Sequence, residues 1–263
     1  MNPYSLDARY RLERGAFAPA PGAGTVPTVL RALTRLELKL FLRNGEQLML
    51  NMLIPLAALI GLCMAPVGHL GSPRANTVVP GVIALAVVSS AFTGQAIAVG
   101  FDRRYGALKR LGATIAPPWA IIVGKLAAVT GVVVLQTVLI GVVGYCLGWR
   151  PSLIGLAATI VVLVVGAAAA AATGLLLGGS LRAEIVLPLA NILWFAQAGL
   201  CGFALLSSRS SPWSSVVGLT PMGALATGLR AAGGGRIEVG AIAVLLIWGV
   251  AATALARRTF KFV

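Results

Sequence analysis

The sequence is poor in charged residues, and acids are especially scarce. Its 263 residues include 7 Asp and Glu, one His and three Cys, and only 11% are charged. A typical soluble domain has about 25% charged residues. Hydrophobic residues make up 58% of the chain, which is more than one packed core requires. The composition therefore predicts an all-α integral membrane protein that crosses the bilayer several times.

The positions of the few acids limit the chemistry that the chain can perform. All of them lie outside the apolar segments or at their ends: Asp7, Glu13, Glu37, Glu46, Asp102, Glu184 and Glu238. Carriers driven by protons or sodium usually bury a carboxylate near the middle of the membrane, so this class is disfavoured. Gly124-Lys125 lacks the upstream glycine and the hydroxyl residue of a phosphate-binding loop. His69 stands alone in a short loop, so we expect no catalytic site and no ATP hydrolysis by this chain.

The cysteines and the net charge exclude two further classes of site. Cys63, Cys146 and Cys201 lie inside apolar runs without metal-ligand spacing, which predicts free thiols, no disulfide and no metal site. The net charge of +14 comes mainly from bases between the apolar segments. No basic face carries interleaved aromatic residues, so we expect no nucleic-acid partner.

Six apolar segments are long enough to cross about 30 Å of hydrocarbon. They are Leu48–Val67, Val78–Gly100, Trp119–Leu147, Ser152–Gly179, Ile185–Ser207 and Val239–Ala256, within a transmembrane domain at 48–256. Bases concentrate on one side of this arrangement: Arg31, Arg35, Lys39, Arg43, Arg103, Arg104, Lys109, Arg110, Arg182, Arg257, Arg258 and Lys261, against Arg74, Arg150, Arg209, Arg230 and Arg236 on the other. The positive-inside rule then predicts a multi-pass protein of the cytoplasmic (inner) membrane with both termini, including the tail 257–263, in the cytoplasm.

Two kinds of segment precede the first predicted span. Residues 1–27 are rich in Pro, Gly and Ala and contain no apolar core, which predicts a mobile tail and no signal peptide. Residues 28–47 predict an amphipathic helix at the membrane interface. Its basic stripe consists of Arg31, Arg35, Lys39 and Arg43, and its apolar face consists of Leu30, Leu33, Leu36 and Leu40. Binding of anionic lipid alone would also explain the stripe.

The loop 101–118 carries the only strongly charged run between two long apolar segments. Tyr105, Leu108 and Leu111 place an apolar stripe at helical spacing within it. The pattern predicts a short amphipathic helix at the membrane surface, in which Asp102 caps the helix or pairs with a base of a partner. An ordinary positive loop is the alternative. Lys125, near the same end of the third span, is expected to snorkel towards the interface.

Residues 208–238 are too apolar for a loop and too often interrupted for a span. Pro212-Trp213 and Leu219-Thr220-Pro221-Met222 predict re-entrant external helices that dip into the outer leaflet, or else an interfacial anchor. In the fourth span, Gly174-x-x-x-Gly178 predicts a close helix contact within one subunit.

Polar side chains within the spans are few, and in lipid they are expected to turn inward. Gln95, Gln136, Asn191 and Gln197 are the main examples, with Trp194 beside Asn191. They either form hydrogen bonds between helices or line a substrate pathway. Asn191, Trp194 and Gln197 recur every three residues, close to one helical face, and together with Gln95 they are the candidates for a pathway.

The charged loop also resembles a known motif. Asp102-Arg103-Arg104-Tyr105-Gly106-Ala107-Leu108-Lys109-Arg110-Leu111-Gly112-Ala113-Thr114 resembles the cytoplasmic loop after the second span of ABC-2 type transporter permeases. Gly124-Lys125-Leu126 resembles the Gly-Lys-Leu that starts the third span of that family. Ala107 replaces the usual Thr, and Ile115-Ala116-Pro117-Pro118 replaces a Pro-Leu-type ending. The resemblance covers the layout from about Val26 onwards.

The resemblance implies a fold of six transmembrane helices of the ABC-2 (type V exporter-like) type, with an interfacial connecting helix and a coupling helix. It implies that Asp102, Arg103, Arg104, Tyr105, Gly106, Leu108, Lys109, Arg110 and Leu111 dock onto a separate nucleotide-binding ATPase subunit, which binds ATP and Mg. It also implies a second permease copy and export of drug-like or lipid substrates, as in multidrug efflux, by alternating access. A secondary carrier or channel and a non-transporting membrane scaffold are the alternatives.

Overall fold

The computed structural model describes residues 24–43, 45–65, 73–107, 110, 117–206 and 212–259. Every regular element among these residues is helical. The helices are α1 Val26–Arg43, α2 Gly45–Met64, α3 Ala75–Val87, a π-helical segment Val88–Gly94, α4 Gln95–Arg104, α5 Pro118–Cys146, α6 Leu153–Ser180, α7 Ala183–Leu206, α8 Pro212–Gly218, α9 Pro221–Gly233 and α10 Val239–Thr259. The predicted tail at 1–27 lies almost wholly outside the described residues.

Local sequence signals explain where several helices begin. Pro118 takes the first position of α5, where its missing N–H leaves no hydrogen bond unmade. The hydroxyl of Ser152 accepts a hydrogen bond from the backbone N–H of Gly155 and caps α6. Thr220 caps α9 in the same way through the N–H of Gly223.

Five of the described helices are long and apolar enough to cross a membrane: Ala75–Arg104, Trp119–Cys146, Leu153–Ser180, Ala183–Leu206 and Val239–Thr259. They coincide with the last five predicted spans. The first predicted span, Leu48–Val67, overlaps α2, whose described apolar part, Asn51–Met64, is shorter. The chain is thus a multi-pass helical membrane protein, as its composition predicts.

The second predicted span, which runs without a break through α3, the π segment and α4, is the most buried part of the bundle. α6 crosses it at very short range. A Cβ atom on Gly174 would lie 2.5 Å from the carbonyl oxygen of Phe92, and one on Gly178 would lie 2.3 Å from that of Ala96. The Gly174-x-x-x-Gly178 motif therefore serves a helix contact within this subunit, as predicted.

The two ends of the bundle differ in composition. The basic end is where α4 and α6 end, where α5 and α7 begin, and where α1 packs against α5. The opposite end contains the start of α3, the turn between α5 and α6, and the two short helices α8 and α9 in the region 208–238. α9 inserts fully buried Met222, Leu225 and Leu229 between the longer helices, because it packs against α3, α6, α7 and α10.

Candidate functional site

The chain passes from the second span into the charged loop through a turn that favours glycine. α4 ends at Arg104, and Gly106 follows with a φ of 68°. This is a left-handed backbone conformation that residues with a Cβ atom rarely adopt. The N–H of Arg110 donates to the carbonyl of Gly106 at 3.0 Å, which is helical spacing. A new helical turn therefore begins directly after Gly106. Leu108, Lys109 and Leu111 of the predicted docking motif lie outside the described residues.

A buried ionic cluster, which we call the Lys125 triad, lies beside this turn. The Nζ of Lys125 is 2.7 Å from a carboxylate oxygen of Glu37 and 2.8 Å from one of Asp102. The Lys125 side chain is only 5% exposed, against 20% for Glu37 and 32% for Asp102. The triad joins α1, α4 and α5, three segments that are distant in sequence.

These contacts correct two sequence predictions. Lys125 does not snorkel, because both of its carboxylate partners hold the ammonium group inside the protein. Asp102 lies within α4, two residues before its last residue, so it does not cap the helix that follows. The Asp102 carboxylate is instead occupied by Lys125 of the same chain. Two carboxylates around one ammonium leave the triad with one net negative charge, in surroundings rich in bases.

The backbone of α1 lies directly on the start of α5. A Cβ atom on Gly124 would approach the Cβ of Leu33 to 2.8 Å. Gly124 thus permits the close approach, and Lys125, the next residue, fixes it with a charge pair to Glu37. The Gly-Lys-Leu motif therefore has a physical role here that its sequence alone did not reveal. The signal that could have found it is the presence of single acids, Glu37 and Asp102, inside two strongly basic segments.

The bundle covers only part of the predicted apolar face of α1. Leu36 and Leu40 are 43% and 58% exposed, whereas Leu33 and Leu38 are half-buried beside Glu37. The helix turns Glu37 towards Lys125, so the bundle covers this side of α1. The basic stripe faces outward, and Arg31, Arg35, Lys39 and Arg43 are all exposed. None of these four forms an ion pair with another described residue.

The first basic pair of the loop serves two different purposes. One terminal nitrogen of Arg103 donates hydrogen bonds to the carbonyls of Gly178 and Leu181 at 3.1 and 3.0 Å, so this side chain satisfies the C-terminal end of α6. Arg104 forms an exposed ion pair with Glu184 at 2.9 Å, which solvent weakens. Tyr105 is 65% exposed beside Arg104. Arg104, Tyr105 and Arg110 are the described loop residues that a partner could contact.

The structure does not bring the four candidate pathway residues into one described pocket. Gln95 is buried at the start of α4, and its Oε1 has no hydrogen-bond partner among the described residues. Asn191 is exposed on α7 and donates to the carbonyl of Leu187 on the same helix at 2.9 Å. Trp194 and Gln197 are half-buried on α7, and the Trp194 Nε1 also has no partner in the described part of the chain.

Gln136, by contrast, forms hydrogen bonds between helices. It is 1% exposed, its Nε2 donates to the carbonyl of Asn51 on α2, and its Oε1 accepts from the hydroxyl of Ser90 in the π segment, both at 2.9 Å. This polar residue therefore connects three helices and does not line a pathway. No group of three His, Cys, Asp or Glu side chains suited to a metal ion occurs among the residues that the structure describes.

Comparison with known proteins identifies the family. A search against curated proteins found no match. The family model described as ABC-2 type transporter matches residues 28–232. This range covers well over half of the chain and contains the charged loop, the Lys125 triad and nearly all of α1 and α9. The chain is therefore a membrane-spanning member of the ABC-2 type transporter family.

Proposed function

We propose that this chain is the transmembrane subunit of an ATP-driven exporter, and that a separate nucleotide-binding ATPase subunit docks on its basic end. Membership of the ABC-2 family implies such a partner. The observation that carries the proposal is the Lys125 triad, which ties the predicted connecting helix and the predicted coupling loop to the first turns of a membrane span.

The surface available to the ATPase is basic and contains an aromatic side chain. Exposed Arg31, Arg35, Lys39 and Arg43 follow one face of α1, and Tyr105 and Arg110 are exposed on the loop. A partner surface with acidic side chains around an apolar cleft would complement this arrangement. ATP and Mg would bind to that partner. The purified chain alone would then hydrolyse no ATP.

The triad provides a rigid connection from this surface to the bundle. A displacement of the loop acts on Asp102, and a displacement of α1 acts on Glu37. Both carboxylates hold the same ammonium group of Lys125 in α5, so either displacement moves α5. Arg103, which binds the end of α6, connects the same loop to a second span. Alternating access would follow from movement of these spans when the ATPase closes on ATP.

A second copy of the permease would explain why α7 exposes large apolar side chains together with an amide. Large apolar side chains such as Ile192 and Phe195 are 64% and 70% exposed there, and the amide of Asn191 is exposed among them. An amide facing lipid has no partner in hydrocarbon beyond its own helix. We therefore place α7 towards a second permease copy or the pathway between two copies, with Gln197 on the same helix.

The substrate class follows from the apolar bundle. Among the described residues, Lys125 is the only charged side chain buried within a span, and it is paired with two carboxylates at the basic end. A pathway without fixed charge favours hydrophobic or amphipathic substrates, such as drug-like molecules or lipids. Export towards the opposite end is the direction that we propose.

The docking surface can be tested with charges at its predicted apolar positions. The double change Leu108→Asp and Leu111→Asp should leave membrane insertion unchanged but abolish both copurification of the ATPase and transport. An unpaired charge in an interface costs several kcal/mol, and about 1.4 kcal/mol corresponds to tenfold in binding. Leu153→Asp is the matched control, because Leu153 is 86% exposed in the first turn of α6 at the opposite end, where a carboxylate is tolerated.

Three results would contradict the proposal. The double variant could retain its ATPase and its transport, which would make the loop a topology signal only. Alternatively, the wild-type chain could transport substrate without any ATPase subunit, or capture no subunit when it is coexpressed with ABC-type nucleotide-binding ATPases. Those results would instead favour a secondary carrier or channel, or a scaffold.

A further inference from the structure

The opposite end of the bundle contains a cavity of about 1070 Å³. It lies among the starts of α3 and α10, the turn between α5 and α6, the end of α7, and the helices α8 and α9. We propose that this cavity binds an anionic amphiphile with a phosphate headgroup. Arg236 would hold the phosphate, Arg150 and Arg230 would surround it, and Phe203 and Val244 would contact the apolar part.

The charge of the lining supports an anionic ligand. Three arginines line the cavity, Arg150, Arg230 and Arg236, and Glu238 is the only acid among the described residues of the lining. The sequence assigns these arginines to the side of the membrane where bases are depleted, so topology does not explain their convergence. A concave surface with an excess of one charge concentrates the opposite charge from solution.

Two of the arginines are held in place by the backbone, and one is not. Arg230 donates to the carbonyl of Leu205 at 3.0 Å. Arg150 donates to the carbonyl of Trp149 at 3.0 Å and lies 3.8 Å from the centre of the Tyr145 ring. Each retains further donors, since a guanidinium carries five N–H groups. The Arg236 side chain also lines the cavity and makes no hydrogen bond or ion pair with a described residue, and a guanidinium fork matches two oxygens of a phosphate.

The size and the remaining lining favour an amphiphile over a free ion. The volume of about 1070 Å³ is slightly above that of typical pockets for drug-sized ligands and far exceeds the space that a phosphate ion needs. Phe203, Ala204, Leu219 and Val244 provide apolar surface on α7, after α8 and on α10. A molecule with a phosphate head and an alkyl tail satisfies both kinds of lining. The inference is independent of the ATPase, because no element of the basic end contributes to the cavity.

Binding can be measured on the purified full-length chain in neutral detergent, without an ATPase subunit. The probe is a fluorescent short-chain phosphatidic acid, followed by anisotropy, with a phosphatidylcholine of the same chain length as the zwitterionic comparison. We expect saturable binding of phosphatidic acid and at least tenfold weaker binding of phosphatidylcholine. Inorganic phosphate at millimolar concentration should not displace the probe. Equal binding of the two lipids, or displacement by inorganic phosphate alone, would overturn the proposal of an anionic amphiphile.

Variants separate the cavity from general attraction to a basic protein. Arg236→Gln should weaken phosphatidic acid binding about tenfold or more, the equivalent of about 1.4 kcal/mol. Arg182→Gln makes the same change in net charge at the exposed turn between α6 and α7 and should leave the affinity unchanged. Ser215→Glu adds a carboxylate to the lining without removing a buried side chain and should also weaken binding.

If Arg236→Gln and Ser215→Glu both bind like Arg182→Gln, the cavity is not the site. Loss of binding only in the cavity variants, whether or not transport is found, would support it.

Discussion

The Lys125 triad allows a quantitative test of the connection between the basic end and the bundle. Lys125→Met keeps most of the side-chain volume but removes the charge. Because the Nζ lies 2.7 Å from one carboxylate oxygen and 2.8 Å from the other, those two oxygens are at most about 5.5 Å apart. At an effective dielectric constant of about 20, two negative charges about 5.5 Å apart repel each other by about 3 kcal/mol.

The loss of attraction adds to this repulsion, and partial solvation reduces both effects. Removal of one partner from a buried ion pair costs roughly 3–5 kcal/mol. Glu37 and Asp102 are 20% and 32% exposed, so water screens part of the repulsion. We expect Lys125→Met to destabilise the folded bundle by about 3 kcal/mol, with α1 released from the start of α5.

The assay is thermal unfolding in detergent, combined with the ATPase-dependent transport rate. The triple variant Lys125→Met, Glu37→Gln, Asp102→Asn removes all three charges and should recover most of the stability. It should still transport poorly, because two amides and a thioether hold the three helices together less firmly. Arg104→Met is the matched control for stability. It breaks an exposed ion pair with Glu184, which is worth less than about 1 kcal/mol.

Two outcomes would refute this reasoning. If Lys125→Met unfolds at the same temperature as Arg104→Met, the triad contributes nothing to the docking of α1. If the triple variant is as unstable as Lys125→Met, the loss comes from packing of the lysine stem and not from unpaired carboxylates.

Two further predictions concern orientation and assembly. In a background without Cys63, Cys146 and Cys201, the variant Ser215→Cys at the opposite end should react with an impermeant thiol reagent that is added outside the cell. Labelling only from the cytoplasmic side would show that the proposed orientation is wrong. A photo-crosslinking amino acid at Asn191 should yield covalent permease dimers. The same group at Val250, which is 69% exposed on α10, should react mainly with lipid. Equal dimer yields from both positions would show that α7 does not form the interface between copies.

The amino-acid sequence by itself determined the class of the protein. The length of an apolar run and the sign of the charges beside it are local properties. Unpaired backbone groups and charges are costly in hydrocarbon, so a long apolar run forms a transmembrane helix and the charged segments mark its ends. The segments that became α3 to α7 and α10 and the close helix contact at Gly174 and Gly178 could therefore be predicted without coordinates. The motif around Asp102 also sufficed to recognise the ABC-2 family.

Only the tertiary structure decided which charges meet. Glu37, Asp102 and Lys125 lie in three separate segments, and their contact depends on how α1 crosses α5, which no local pattern specifies. For the same reason no local pattern indicated that Arg103 donates hydrogen bonds to the end of α6, or that α1 turns Glu37 towards Lys125. The convergence of Arg150, Arg230 and Arg236 on one cavity likewise arises because α9 and the turn between α5 and α6 pack side by side. An ion pair or a cavity depends on distances of a few ångströms between elements, and those distances exist only in the folded bundle.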